Sequence, residues 1–158
     1  DDETAGRVLV GIVNNVRRGS GWSLITAMDK TGTFTFFADE DTSIVKNESY
    51  LFLIGHNRVV SHQRLAELEP SAVTHYLDTR EVLCASDELF VVGMSSRVTK
   101  AGKRMGTLIV SNPDKELLSL TVFPSMYPTA HVHLVPGTSH RIVYDEKDNG
   151  DLILQSVE

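Results

Sequence analysis

The order of short, alternating segments in this chain occurs twice, and a chain that repeats a strand pattern has few folds open to it. Val8-Leu-Val-Gly-Ile-Val13 leads through Val16-Arg-Arg-Gly-Ser-Gly-Trp22 into residues 23–28, a polar turn at Asp29-Lys-Thr-Gly32, and the alternating Thr33-Phe-Thr-Phe-Phe37. Leu89-Phe-Val-Val-Gly-Met94 leads through Thr99-Lys-Ala-Gly-Lys-Arg-Met105 into a run ending at Val110, a turn at Ser111-Asn-Pro-Asp114, and the segment 117–123. Gly11 and Gly93 align at an offset of 82 residues, with the remaining elements in register within a few positions. Period-two alternation bounded by glycine, proline and asparagine turns predicts a three-stranded meander in each half. A glycine inside each first strand fits a strand that bends sharply to serve two sides of a small barrel.

A hairpin then follows in both halves. Tyr50-Leu-Phe-Leu-Ile54 turns through Gly55-His-Asn-Arg58, and His131-Val-His-Leu-Val135 precedes residues 138–144, a turn around Lys147-Asp-Asn-Gly150, and residues 151–155. A meander of three plus a hairpin in about 70 residues is the element count of an OB-fold. The expectation is therefore an all-β chain of two tandem five-stranded OB-fold barrels, residues 1–70 and 88–158, joined by a short, partly helical linker over 71–87. With 158 residues and 41% hydrophobic content, the chain can bury one good core or two small ones, and packing of the two barrels on each other is expected. The single cysteine, Cys84, excludes an intrachain disulfide and a cysteine zinc site. No apolar run approaches the roughly 20 residues that span a bilayer, and the acidic start Asp1-Asp-Glu-Thr4 is unlike a cationic signal peptide, so the chain reads as cytoplasmic.

Charge restricts the partners. A net charge of −6 repels polyanions at long range, so any nucleic-acid binding must be local or weak. The charge is segregated by loop: Arg97, Lys100, Lys103 and Arg104 form a run without an acid, while many acids of that half gather in Asp145-Glu-Lys-Asp-Asn-Gly-Asp151. Single strands are held by rings that stack on bases and cations that follow the backbone. Arg17, Arg18 and Trp22 supply such a set in the first half. Arg97, Lys100, Lys103, Arg104 and Tyr127 supply one in the second. Each has a structural alternative: Trp22 as a packed strand residue, Tyr127 as a plug at the barrel end, the cations as a solvated hairpin tip. Phe34, Phe36 and Phe37 alternate across a strand, which puts at least part of the group in the core.

The segment from Leu89 to Tyr127, carried by Thr99-Lys-x-Gly-Lys-x-Met105 and Val122-Phe-Pro-x-x-Tyr127, resembles the OB-fold toward the C-terminus of the alpha subunit of DNA polymerase III, the bacterial-type C-family replicative polymerase, viral and divergent members included. The first half matches only the generic strand pattern. The resemblance implies a non-catalytic part of a larger chain that helps a polymerase hold single-stranded template DNA weakly, with the rest of the polymerase or other replisome proteins as partners. The alternatives from other classes are a protein-interaction module that docks a replisome partner, and an RNA- or tRNA-binding OB-fold.

Catalytic readings are weaker. His131 and His133, two apart on a presumed strand, would share a face and could approach a metal with His140, but no cysteine or acid is fixed beside them, and no metal or other cofactor is expected. Ser61-His62 and Ser139-His140 are sequence neighbours that a strand sends to opposite faces. Gly19-Ser-Gly21 is a turn, without the spacing of a phosphate loop or dinucleotide fingerprint.

Overall fold

The computed structural model describes residues 7–68, 73, 77 and 85–158. The first barrel is made of β1 (Arg7–Arg18), β2 (Ser23–Asp29), β3 (Gly32–Ala38), β4 (Ser49–Gly55) and β5 (Arg58–Arg64), followed by a single 3-10 turn at Leu65–Glu67. Its strands close in the order β1-β2-β3-β5-β4, with β4 returning to β1. This is the five-stranded OB arrangement, including the parallel contact of β3 with β5 at Phe37 and Arg58. The long β1 serves two partners: residues 7–12 pair with β4 and residues 12–18 with β2.

A bulge between Val13 and Asn15 makes that change of partner possible. The sequence assigns the bend to the glycine, and the structure divides the two roles. Gly11 is needed for closeness, because a Cβ there would lie 2.8 Å from the ring tip of Phe34. The core alternates as the pattern requires, with Ile25, Ala27, Phe36, Ala38 and Phe52 inside. Tyr50 joins them, its ring 5.4 Å from Phe52 and its hydroxyl accepting from the Val45 N–H at 3.0 Å.

The second half contains β6 (Leu89–Val98), β7 (Arg104–Ser111), β8 (Leu117–Val122), α1 (Tyr127–His133), β9 (Ser139–His140), β10 (Ile142–Glu146) and β11 (Leu152–Val157). They form a six-stranded sheet ordered β10-β11-β8-β7-β6-β9. Its two edge strands are consecutive in the chain, separated only by Arg141. They are one fourth strand broken in the middle, with one piece pairing β6 and the other β11, and the sheet curls into the same five-position order as the first barrel. β11 runs parallel to β8, as β5 does to β3.

One expected strand is a helix. Residues 131–135 were assigned to a strand by their alternation, whereas 127–133 are helical. Pro128 sits in the first turn, where its missing N–H costs nothing. Tyr127, Ala130 and Leu134 recur at helical spacing and all enter the second core. His131 and His133, two apart on a helix, therefore point in divergent directions and do not form the pair that a strand would have made.

The barrels pack together. Val10, Leu65, Val73, Leu77, Phe90, Val92 and Ile109 form a shared cluster drawn from both halves and from the connection between them. Val73 and Leu77 are helical, four apart and buried. The rest of the expected 71–87 linker up to residue 84, with Cys84, lies outside the described residues. Gly93 allows the close approach: a Cβ there would fall 2.6 Å from Leu65 Cδ2 and 2.9 Å from Ser49 Cβ. Among the described residues, no helix is long and apolar enough to cross a membrane.

Candidate nucleic-acid interface

Cross-strand register assembles the first candidate surface. Arg17 lies opposite Leu24, Leu24 opposite Phe37, and Phe37 opposite Arg58, so four strands contribute one continuous row. Residues directly opposite share a face. The alternation that puts Ile25 and Phe36 inside puts this row outside, and Arg17, Phe37 and Arg58 are exposed. Parallel to it runs a polar row of Asn15, Thr26 and Thr35.

Trp22 stands at the end of the aromatic row. The β1–β2 turn folds the indole back across Gly19, where any Cβ would meet ring atoms at 2.2 Å. Gly21 makes the fold possible with a φ of 82°. The Phe37 ring meets the indole edge-on at 6.1 Å, and the Arg17 guanidinium lies 5.4 Å from its centroid. Trp22 is thus half-buried, both a packed residue and one wall of the surface. The Arg17 contact is a cation–π pair that holds the cation beside the ring.

Arg18 does not join this row. It is turned the other way, donating to the Glu40 carbonyl at 2.7 Å and the Thr42 carbonyl at 3.3 Å, and it fastens the 39–48 connection to the barrel. Arg58 takes the place expected of Arg18. It is paired at 3.0 Å with Asp39, both side chains largely exposed. Phe37 and Arg58 were not singled out as ligands. The alternation of residues 33–37 carried the signal for Phe37, but only the parallel β3–β5 contact brings Arg58 beside it.

The second barrel separates the cations that the sequence groups together. Arg97 is opposite Met105 on the outer face. One further step of the β7–β8 register places the exposed Phe123 on the same line. Arg104 is opposite Val98, on the face that continues inward as Gly106 and Leu108, and so stands at the barrel mouth. Lys100 is exposed at the tip of a tight turn held by Thr99 N–H to the Lys103 carbonyl at 2.7 Å, with Gly102 at a φ of 80°. Lys103 and Arg104 line an open cavity of about 400 Å³ together with Pro124, Ser125, Tyr127 and Pro128.

Tyr127 is the site residue whose place departs furthest from the expectation of a stacking ring. It is 6% exposed, lies in the core and stacks on His131 at 5.5 Å. No face of the ring is open to a base, and Phe123 supplies the exposed aromatic in this barrel. The Tyr127 hydroxyl and His131 Nδ1 are buried with no hydrogen-bond partner among the described residues. Burial pushes the His131 pKa below the ordinary imidazole value, and the nearby Arg104 and Lys46 charges add to that.

Behind the mouth, a charged network ties the barrels together. Glu48, almost wholly buried, accepts from Ser96 N–H at 2.7 Å, from Ser96 Oγ at 3.1 Å and from Arg64 at 3.4 Å. Arg104 donates to Ser96 Oγ at 3.0 Å. Arg104 is therefore held in place by a residue whose other partner belongs to the first barrel. No protein-family model matches the sequence, and no curated protein matches it either.

Proposed function

We propose that this region binds single-stranded nucleic acid without catalysing a reaction on it, and that it holds template DNA for a C-family replicative polymerase, as the resemblance of residues 89–127 implies. The observation that supports binding best is the outer row of Arg17, Leu24, Phe37 and Arg58 with Trp22 at its end. It lies on the outer face of the second and third strands, flanked by the first hairpin and the β4–β5 turn, the part of an OB barrel best suited to an extended strand. Rings there offer stacking worth roughly 1–3 kcal/mol per base, and two arginines offer phosphate contacts at its flanks. The acids Asp39, Glu40 and Asp41 beside the row, and the net charge of −6, make the binding weak, on the micromolar scale or above. Attachment to a polymerase would compensate through effective concentration.

The test is an anisotropy titration of labelled oligo(dT) at several salt concentrations. Each phosphate contact contributes about 0.7 to the log–log slope on a single strand, so Arg17 and Arg58 alone predict roughly −1.4. Engagement of the second barrel's cations would steepen it toward about −2 to −3. No binding at low salt would instead favour a module that docks a protein partner, and a preference for oligo(U) would favour RNA.

A further inference from the structure

The cavity at the mouth of the second barrel has features that a strand-tracking surface does not require. We propose that it is a binding site for the phosphate of a nucleotide, either a free nucleoside 5′-monophosphate or the 5′-phosphorylated end of a strand. Two cations, Lys103 and Arg104, line one concavity with Ser125, and its remaining lining is Pro124, Pro128 and the buried Tyr127. Cations and a serine suit a phosphate; the apolar proline rings suit the sugar attached to it. At about 400 Å³ the space far exceeds the roughly 30 Å³ share of a single water, and it is larger than a bare phosphate needs.

Arg104 is preorganised for this role. One of its five N–H donors is committed to Ser96 Oγ, which Glu48 fixes in turn, and among the described residues the others have no acceptor, so that they can make a planar, two-pronged grip on phosphate oxygens. The positive charges of Arg104 and Lys46 both bear on His131, the residue stacked on Tyr127. The cavity also adjoins the Lys100–Lys103 hairpin, so a strand end held here would lie beside further cations. None of this depends on the outer face of the first barrel.

The experiment is isothermal titration of the intact chain with dAMP, deoxyadenosine and inorganic phosphate, repeated with Lys103→Ala and Arg104→Gln, and with Lys147→Ala, an exposed cation on the β10–β11 turn that does not line the cavity, as a control. Binding of dAMP that deoxyadenosine does not match, weakened about tenfold or more by each cavity variant and unchanged by Lys147→Ala, is the expected result, since at least one charge-assisted hydrogen bond is at stake in each cavity variant. Because Arg104 also bonds Ser96, the melting temperature of each variant is checked, and the exposed Lys103→Ala alone carries the test if Arg104→Gln is destabilised. Equal affinity for dAMP and deoxyadenosine, or dAMP binding indifferent to Lys103→Ala, overturns the proposal. A 5′-phosphorylated oligonucleotide that outcompetes its 5′-hydroxyl counterpart for the cavity identifies the strand end as the source of the phosphate; equal competition by the two, with dAMP still bound, identifies the free nucleotide.

Discussion

The first barrel closes by its own strands, whereas the second is completed by the first. In the first, β1 spans both sides and every strand finds two neighbours. In the second, β9 and the residues just before it cover β6 only as far as Val91, and the edge beyond would be an open row of N–H groups. Ser49 Oγ accepts from Met94 N–H at 2.8 Å, and the Glu48 carboxylate accepts from Ser96 N–H at 2.7 Å. Two adjacent side chains thus substitute for a strand. The repeated pattern specifies two barrels of one topology, yet one of them depends on its neighbour for edge satisfaction. The outer surfaces differ as well: the row of Arg17, Phe37 and Arg58 on the first barrel is exposed, while part of the second's outer face, around Gly93 and Ile109, is used in packing.

Removing the borrowed cap should have the largest effect. Glu48→Ala leaves the buried Ser96 N–H without its acceptor and the Arg64 guanidinium with Glu67 alone, and should cost about 3 kcal/mol in urea unfolding. Hydrogen exchange should accelerate first in β6 and only later in β1–β5; equal loss in both barrels would mean that the dependence is mutual. On the binding side, Phe37→Ala and Trp22→Ala should each weaken oligo(dT) binding by about tenfold, the loss of one stacking contact, while Tyr127→Phe leaves affinity unchanged. A larger loss from Phe123→Ala than from Phe37→Ala would reverse the ranking of the two faces.

The same Tyr127→Phe variant should raise stability by about 1 kcal/mol, because it removes a buried hydroxyl that has no partner among the described residues. A loss of similar size would show that the hydroxyl is bonded in solution. Acid should act on the second barrel more than the first. His131 and His140 both have pKa values lowered below the ordinary 6.5, chiefly by burial. The unfolded chain therefore takes up protons before the folded one does. The stability linked to these groups is fully present above about pH 6.5 and declines as pH falls from there toward the lowered folded values. Urea midpoints at pH 7.5 and 5.5 should differ in that direction, with His131→Gln reducing the difference. The smallest effect expected is from Asp39→Asn, which releases Arg58 from an exposed ion pair and should tighten oligo(dT) binding by about twofold to fivefold at low salt.

Much of this architecture was legible in the sequence because barrels are written in local code. Period-two alternation located the strands of both meanders, and the 82-residue offset between Gly11 and Gly93 revealed the repeat. Alternation misled at residues 131–135, where a short apolar run fits both periods and the deciding contacts of Tyr127, Ala130 and Leu134 are tertiary. The site was less legible. Arg17, Trp22 and the cationic hairpin stand out by composition, but Arg58 joins the face only through a parallel contact between strands distant in sequence. Arg97 and Arg104 read as one cluster until the hairpin register sends them to different faces. Glu48 gives no local sign of its role, since its partners Ser96 and Arg64 lie far along the chain.

The central claim is that a single strand lies across the outer face of the first barrel. Backbone and indole resonances of the isotope-labelled chain, followed while oligo(dT) is added, test it most directly. The account predicts the largest shifts at Arg17, the Trp22 indole N–H, Phe37 and Arg58, with small changes across β10 and β11. Shifts confined to the second barrel, or absent at concentrations where anisotropy reports binding, would contradict it.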